Sequence, residues 1–287
     1  MRENTVLNEL IERYGLNKLN TMTKYPSIYT YHTTAERGSL STEHVDNKTF
    51  ANCEKIYITE KIDGTNSRVV LITDAYGQVA DYIVGSREDF LYAKDDRIIN
   101  PALGIVSTLQ TYVIPKFAFC ETIVGKNTLR PNHMYIFYGE TYGGKINAAK
   151  QYTNIQAYNF RAFDIVEMDI PSVKGILSMQ IEDISSWREH DGLPFVSVTN
   201  FVNLCNILSL NRVPYIKEMN GSELPTNIKD VFSWLQNFEK SNATIEPEYT
   251  GLAKAEGVVV RTESRDLIRK IRFEDYEKTK KLHPEYF

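Results

Sequence analysis

The chain has 287 residues, of which 42% are hydrophobic, so it is long enough to bury a sizeable core. Its 33 lysines and arginines against 37 acidic residues give a net charge of −4, which argues against a protein that coats nucleic acid through general basicity. The sequence has no apolar run near the ~20 residues that cross a bilayer and no signal-peptide core, so we expect a cytoplasmic protein without a membrane segment.

The predicted elements are short helices and strands separated by turn residues. Helical spacing of apolar residues predicts a helix over Asn4–Leu16, and alternation over Lys55–Gly85 predicts two strands joined at an Asp-Gly turn. Because strands dominate, we predict an α+β fold on antiparallel sheets, with residues 1–287 as a single domain and a helical extension over about residues 1–50. Further strands are predicted at Met134–Tyr138, Phe160–Val166, Phe195–Val198 and Gly257–Arg261, and helices at Val202–Leu210 and Asn227–Lys240.

A lysine lies two residues before the Asp-Gly turn in Glu60–Asn66, which reads Glu-Lys-Ile-Asp-Gly-Thr-Asn. A lysine becomes a nucleophile when burial or neighbouring cations destabilise its ammonium, and a turn glycine lets the backbone approach a phosphate. The bare pattern arises by chance in roughly one chain in twenty of this length, where Lys61 would be an exposed lysine beside a hairpin. Lys61 therefore needs partners elsewhere in the chain.

Candidate partners occur in five later segments that combine strand residues with glycines and charged side chains. In chain order they are Gly85–Arg87, Phe137–Gly144, Phe160–Ile165, Glu256–Arg261 and Arg269–Arg272.

Together with Lys61, these segments resemble the collinear motifs of the covalent nucleotidyltransferase superfamily, which comprises DNA ligases, RNA ligases and mRNA capping enzymes. Within it, they look most like the ATP-dependent RNA ligase family, in the branch that seals nicks and repairs RNA. The resemblance runs from about Glu54 to Tyr276. It implies a ligase-type nucleotidyltransferase domain in which two antiparallel sheets flank a nucleotide cleft, with helices outside.

The resemblance also implies a reaction and its participants. Lys61 would attack ATP and carry AMP as a lysyl-AMP intermediate, AMP would pass to the 5′-phosphate of an RNA, and a 3′-hydroxyl would displace AMP to form a phosphodiester. ATP would be the AMP donor, with Mg²⁺ or Mn²⁺ as the metal. The catalytic residues would be Lys61, Glu256 and Lys270, with Lys270 and Arg272 holding the triphosphate and favouring neutral Lys61.

Other residues would bind the nucleotide and the metal. Arg87 would hold a phosphate or a strand-end hydroxyl through its planar fork, and Glu140 and Glu256 would bind ribose hydroxyls and hydrated Mg²⁺. Phe163 would stack on adenine, with a core phenylalanine as the alternative interpretation and Phe160 as the alternative residue. The implied nucleotide-binding residues are Glu60, Ile62, Asn66, Arg87, Glu140, Phe163, Lys270 and Arg272, and the implied metal ligands are Glu256 and Glu140.

The chain departs from the family pattern at its end. Arg272 stands where the final motif commonly has a second lysine, and about seventeen residues follow Lys270, so we expect neither an OB-fold nor a helical domain there. A protein partner is then a candidate source of a substrate-binding domain. The alternatives are a DNA ligase or capping-type nucleotidyltransferase, or a catalytically degenerate module that only binds RNA.

Overall fold

The computed structural model describes residues 5–44, 49–93, 96–97, 103–117, 129–249, 251 and 253–287. By its internal contacts the chain divides into two compact units, each made of three segments. The prediction of one domain over residues 1–287 stays a prediction. The first unit is Met1–Ser27, Gly64–Ile146 and Tyr158–Arg212, and the second is Ile28–Asp63, Asn147–Ala157 and Val213–Phe287.

Strands and helices are interspersed along the chain. The α-helices are α1 Val6–Tyr14, α2 Leu16–Thr23, α3 Ile105–Tyr112, α4 Ile170–Leu177, α5 Ile181–Glu189, α6 Val198–Ile207, α7 Ile228–Leu235 and α8 Phe273–Leu282. The strands are β1 His32–Thr34, β2 Leu40–His44, β3 Ile56–Lys61, β4 Thr65–Thr73, β5 Val79–Ser86, β6 Phe90–Ala93, β7 Asp96–Arg97, β8 His133–Gly143, β9 Tyr158–Asp169, β10 Tyr215–Met219, β11 Gly257–Arg261 and β12 Ile268–Arg272.

The first unit is built on a six-stranded sheet in the order β7-β6-β5-β4-β8-β9, with every neighbouring pair antiparallel. Strand β4 is apolar on both faces because both are covered. Val69 and Leu71 pack into a core that includes residues of α3 and α6. Val70 and Ile72 pack into a second core that includes residues of α1, α2, α4 and α5. A sheet covered on both faces has strands that are nearly continuous apolar runs.

The second unit contains a four-stranded antiparallel sheet in the order β10-β3-β11-β12 and the small β1-β2 sheet. Only one face of the larger sheet is apolar: Ile58, Val258 and Ile271 pack in a core with residues of α7 and α8. The alternate residues of β3 are only partly buried, so its pattern has a period of two. Lys61 lies on this second face.

The α+β prediction with antiparallel sheets is confirmed, and β11 has the predicted bounds. The strand predicted at Phe195–Val198 is wrong, because Phe195 makes a single bridge to Val166 while Ser197 caps α6 by accepting the Asn200 N–H. That cap starts the helix four residues before the predicted Val202. None of the helices in the described ranges is long and apolar enough to span a bilayer.

Candidate functional site

Lys61 lies at the end of β3, where it meets a carboxylate from the start of β11. Its Nζ is 2.5 Å from Oε2 of Glu256, and the two side chains are 26% and 17% exposed. The Glu256 N–H donates to the Lys61 carbonyl at 3.2 Å, which fixes the two backbones together. Arg272 Nη1 lies 3.8 Å from Oε1 of the same carboxylate. The structure thus brings two predicted site residues, Lys61 and Arg272, to a third, the acid Glu256.

The strand register explains this grouping. Gly257 pairs with Lys61 on one side and with Arg272 on the other, so both side chains lie in one row across a residue with no side chain. Lys270 lies in the adjacent row, paired with Val259 on the same face. Three cations from two strands therefore share one end of this sheet face with Glu256.

The environment of this cluster disfavours the charged form of Lys270. Burial lowers the pKa of Lys270, and the positive charges of Arg272 and Lys61 lower it further. Arg272 differs because it has its own acid: although burial opposes the charged form, hydrogen bonds of 2.9 and 2.7 Å to Asp275 raise the Arg272 pKa. Lys270 is thus a half-buried cation in a positive field.

Replacing Lys270 by methionine should leave the fold as stable as the wild type at neutral pH, or up to about 1 kcal/mol more stable, because a disfavoured charge is removed. Between the lowered pKa of folded Lys270 and its ordinary value of 10.5, the unfolded wild-type chain binds more protons than the folded chain. Wild-type stability therefore rises with pH across that range. The advantage of Lys270→Met should therefore shrink as pH rises in urea unfolding series.

Lys55→Met is the matched control, since Lys55 is 52% exposed and paired with Glu218 at 3.1 Å. It should change the free energy of unfolding by less than about 0.5 kcal/mol, without that pH dependence. A large loss of stability in Lys270→Met would contradict the strained-cation interpretation.

The backbone on both sides of Lys61 is anchored to the second unit. The Glu60 carboxylate is buried and accepts hydrogen bonds from the Ser241 hydroxyl and, at 2.8 Å, from the Asn242 N–H. The fully buried Tyr152 hydroxyl accepts the Asp63 N–H at 2.7 Å. Ile62 is buried between these anchors. Sequence reasoning missed Ser241, Asn242 and Tyr152, because they lie 89 to 182 residues from their partners and carry no local motif.

Asn66 and Glu140 come together in the first unit. They pair directly across β4 and β8, so their side chains lie on one face of the six-stranded sheet. Asn66 Oδ1 is buried without a hydrogen-bond partner among the residues that the structure describes. Gly64 explains the close packing here, since a Cβ at Gly64 would lie 2.5 Å from the Thr141 carbonyl oxygen.

Phe163 lies at a β-bulge in β9. Tyr138 pairs with Asp164 and Gly139 with Ala162, so Phe163 is an extra residue without a partner on β8. Its ring is partly buried and meets Tyr25 edge-on at 5.0 Å. Phe160, by contrast, is 2% exposed in the core of the other sheet face, which removes it as the alternative stacking residue.

Arg87 lies in an exposed turn after β5, where its side chain is 64% exposed and 3.7 Å from Glu88. Beneath it, Arg68 is fully buried and donates to the carbonyls of Ser86 and Arg87 and to Asn20 Oδ1. Burial lowers the pKa of Arg68 to about 10. Sequence reasoning missed this arginine, which supports the turn that carries Arg87.

Arg68→Met should lower the free energy of unfolding by roughly 3 kcal/mol, because three acceptors lose their donor while the side-chain volume is kept. Arg87→Met, in the turn above, should change it by less than about 0.5 kcal/mol. Chemical denaturation of both variants measures the difference. Similar losses in the two would show that Arg68 does not support the turn.

Among solved structures, the chain is similar to several of an RNA ligase of Naegleria gruberi. One variant, solved with ATP and Mn, gives a TM-score of 0.50 at 14% identity, covering 90% of this chain and 62% of that one. An apo variant gives a TM-score of 0.49 at 15% identity, covering 89% of this chain and 64% of that one. A third variant, solved with AMP and Mn, gives a TM-score of 0.48 at 14% identity, covering 90% of this chain and 64% of that one.

This chain therefore spans 62% of the length of the first of these proteins. At such low identity the likeness shows the fold alone. No curated protein matches the sequence. A sequence model of the RNA ligase family, however, matches residues 54–277, most of the chain and the whole run from before Lys61 to beyond Arg272. The chain belongs to the RNA ligase family.

Proposed function

We propose that this chain is an ATP-dependent RNA ligase in which Lys61 attacks the α-phosphate of ATP and carries AMP to RNA. The observation that carries the proposal is the contact of 2.5 Å between Lys61 Nζ and the Glu256 carboxylate, on a sheet face shared with Lys270 and Arg272. A nucleophile, an acid within hydrogen-bonding reach and two further cations are the groups that nucleotidyl transfer requires.

In the first step, Lys61 Nζ forms a bond to the α-phosphorus. The nitrogen needs its lone pair, so the ammonium loses a proton, and Glu256 is the carboxylate close enough to accept it. The bond from the α-phosphorus to the bridging oxygen breaks, and pyrophosphate leaves with that electron pair. Lys270 and Arg272 stabilise negative charge on the departing phosphates.

The donor groups fit a divalent metal. Among the described residues, no three histidine, cysteine or acidic side chains lie close enough together to hold a metal ion. Mg²⁺ needs only one or two carboxylates, because its other ligands are water molecules and phosphate oxygens. Our candidate ligands for Mg²⁺ or Mn²⁺ are Glu256 and, considered separately, Glu140 with the unpartnered oxygen of Asn66. When bound, the ion neutralises phosphate charge.

Phe163 and Arg87 are the candidates for the remaining contacts in this proposal. Phe163 stacks on adenine from its bulge, and Arg87 binds a phosphate or hydroxyl from an exposed turn, where a planar guanidinium can approach a substrate. Glu60 and Ile62 act by holding the backbone around Lys61, since both side chains are buried. AMP then passes to the RNA 5′-phosphate, and the 3′-hydroxyl displaces it.

The test is to incubate the purified chain with ATP or GTP labelled at the α-phosphate, in the presence of Mg²⁺. An acid-labile, hydroxylamine-sensitive label from ATP is expected, because a P–N bond has these properties. Label from GTP would indicate a capping-type enzyme, and no label from either would indicate a binding module. Sealing of a nicked RNA duplex but not of the DNA equivalent then identifies the substrate.

A further inference from the structure

We propose that Arg161 binds a phosphate group of the substrate, either of the nucleotide or of the nucleic acid. This inference rests on the proposed ligase function and adds a contact to it. Arg161 pairs with Glu140 across β8 and β9, and Glu140 pairs with Asn66 across β8 and β4. The three side chains therefore form one row on the same face of the six-stranded sheet.

The guanidinium of Arg161 is held in place by neutral acceptors. Nε donates to the hydroxyl of Tyr142 at 3.0 Å, and Nη1 donates to the carbonyl of Arg212 at 3.0 Å. Tyr142 is fully buried, so this anchor is rigid. These bonds use Nε–H and one Nη1 hydrogen, which leaves both Nη2 hydrogens and the other Nη1 hydrogen for a ligand.

Among the described residues, Arg161 forms no ion pair with an acid. Over the described ranges, no carboxylate lies within 4.0 Å of Arg161 or of its neighbour Arg212, although Glu140 faces Arg161 across the strands. A partly buried charge without a counter-ion is unfavourable unless a ligand supplies one. An oriented arginine fork matches the oxygens of a phosphate, which would provide that charge.

The test uses Arg161→Gln, which removes the charge, and Arg161→Lys, which keeps the charge but loses the fork. Arg130→Gln is the matched control in the same unit, because Arg130 is 72% exposed and paired with Glu167 at 3.0 Å. For each full-length chain, two quantities are measured: the dependence of self-labelling on ATP concentration, and equilibrium binding of a pre-adenylylated RNA nick across a salt series. Urea unfolding verifies folding.

Loss of a charged hydrogen bond to phosphate in Arg161→Gln should weaken the binding of ATP, of the RNA nick or of both by about 10- to 100-fold. If the phosphate belongs to RNA, nick binding falls and the slope of log K against log salt drops by about one. If it is the β- or γ-phosphate of ATP, the ATP concentration for half-maximal labelling rises and nick binding is unchanged. If it is the α-phosphate, which the adenylylated nick also carries, both ligands bind more weakly. Arg161→Lys should recover only part of either loss, and Arg130→Gln should match the wild type.

Folded Arg161→Gln with wild-type behaviour in both assays would overturn the assignment while leaving the ligase proposal intact. If Arg161→Gln does not fold, the test rests on Arg161→Lys. Wild-type affinity of that variant for both ATP and the nick would show that the guanidinium of Arg161 does not bind phosphate. Failure of the ligase proposal itself looks different, because the wild type would then neither label nor seal.

Discussion

Lys61→Ala should lose all of the acid-labile label that ATP leaves on the wild-type chain, a loss of at least ~10³-fold in labelling rate. A nucleophile that forms the covalent bond has no substitute when its amine is removed. Lys270 shares the sheet face, but it lies in the next row, away from Glu256's contact with Lys61. The measurement is single-turnover labelling followed by gel autoradiography.

Two comparisons separate loss of the nucleophile from loss of the fold. Lys55→Ala removes an exposed lysine just before the same strand and should label at the wild-type rate. Lys61→Ala itself should still seal a pre-adenylylated nick, because AMP is then already on the RNA. Persistent acid-labile label in Lys61→Ala would reject Lys61 as the nucleophile.

Glu256→Gln should slow labelling by about 10²- to 10³-fold while the chain stays folded. The amide keeps the shape of the side chain but cannot accept the proton of Lys61, and the substitution removes the negative charge that contacts both Lys61 and Arg272. Groups that act on the transition state typically contribute this much. The deficit should shrink as pH rises, since hydroxide can take over as the proton acceptor.

Glu218→Gln is the control for this substitution, because Glu218 also pairs with a lysine, Lys55, at 3.1 Å and is 50% exposed. Its labelling rate should equal that of the wild type across the pH series. Labelling by Glu256→Gln at the wild-type rate would remove Glu256 from the reaction and leave it a structural partner of Lys61.

The alternation of residues was enough to predict β3 and β11, two of the strands that carry the site, but β12, which carries Lys270 and Arg272, was not among the predicted strands. Strand β11 has one apolar face, and its glycine at the start and arginine at the end were both read correctly from sequence. In β3, which ends at Lys61, the buried Ile56 and Ile58 likewise alternate with partly buried residues. Local periodicity determines which face a side chain occupies, and Lys61 lies on the face opposite Ile56 and Ile58.

The contacts that hold the site could not be predicted, because they join distant segments. Ser241 reaches Glu60 across 181 residues, and Tyr152 reaches Asp63 across 89. Nothing near these residues marks their role, since a hydroxyl is common and its partner is a backbone or a buried acid. The false strand at Phe195–Val198 has the opposite cause: a local apolar run suggested a strand where the Ser197 cap begins a helix.

The bulge at Phe163 means that β9 is one residue longer than its pairing with β8 requires. Without Phe163, Ala162 and Asp164 would oppose Gly139 and Tyr138 in an unbroken ladder, and Arg161 would still lie on the face of Asp164. The sheet alone therefore gives no reason to keep this residue. Deleting the codon of Phe163 should therefore restore an unbroken ladder and remove the ring that we propose stacks on adenine, so the proposed role is tied to the length of this segment.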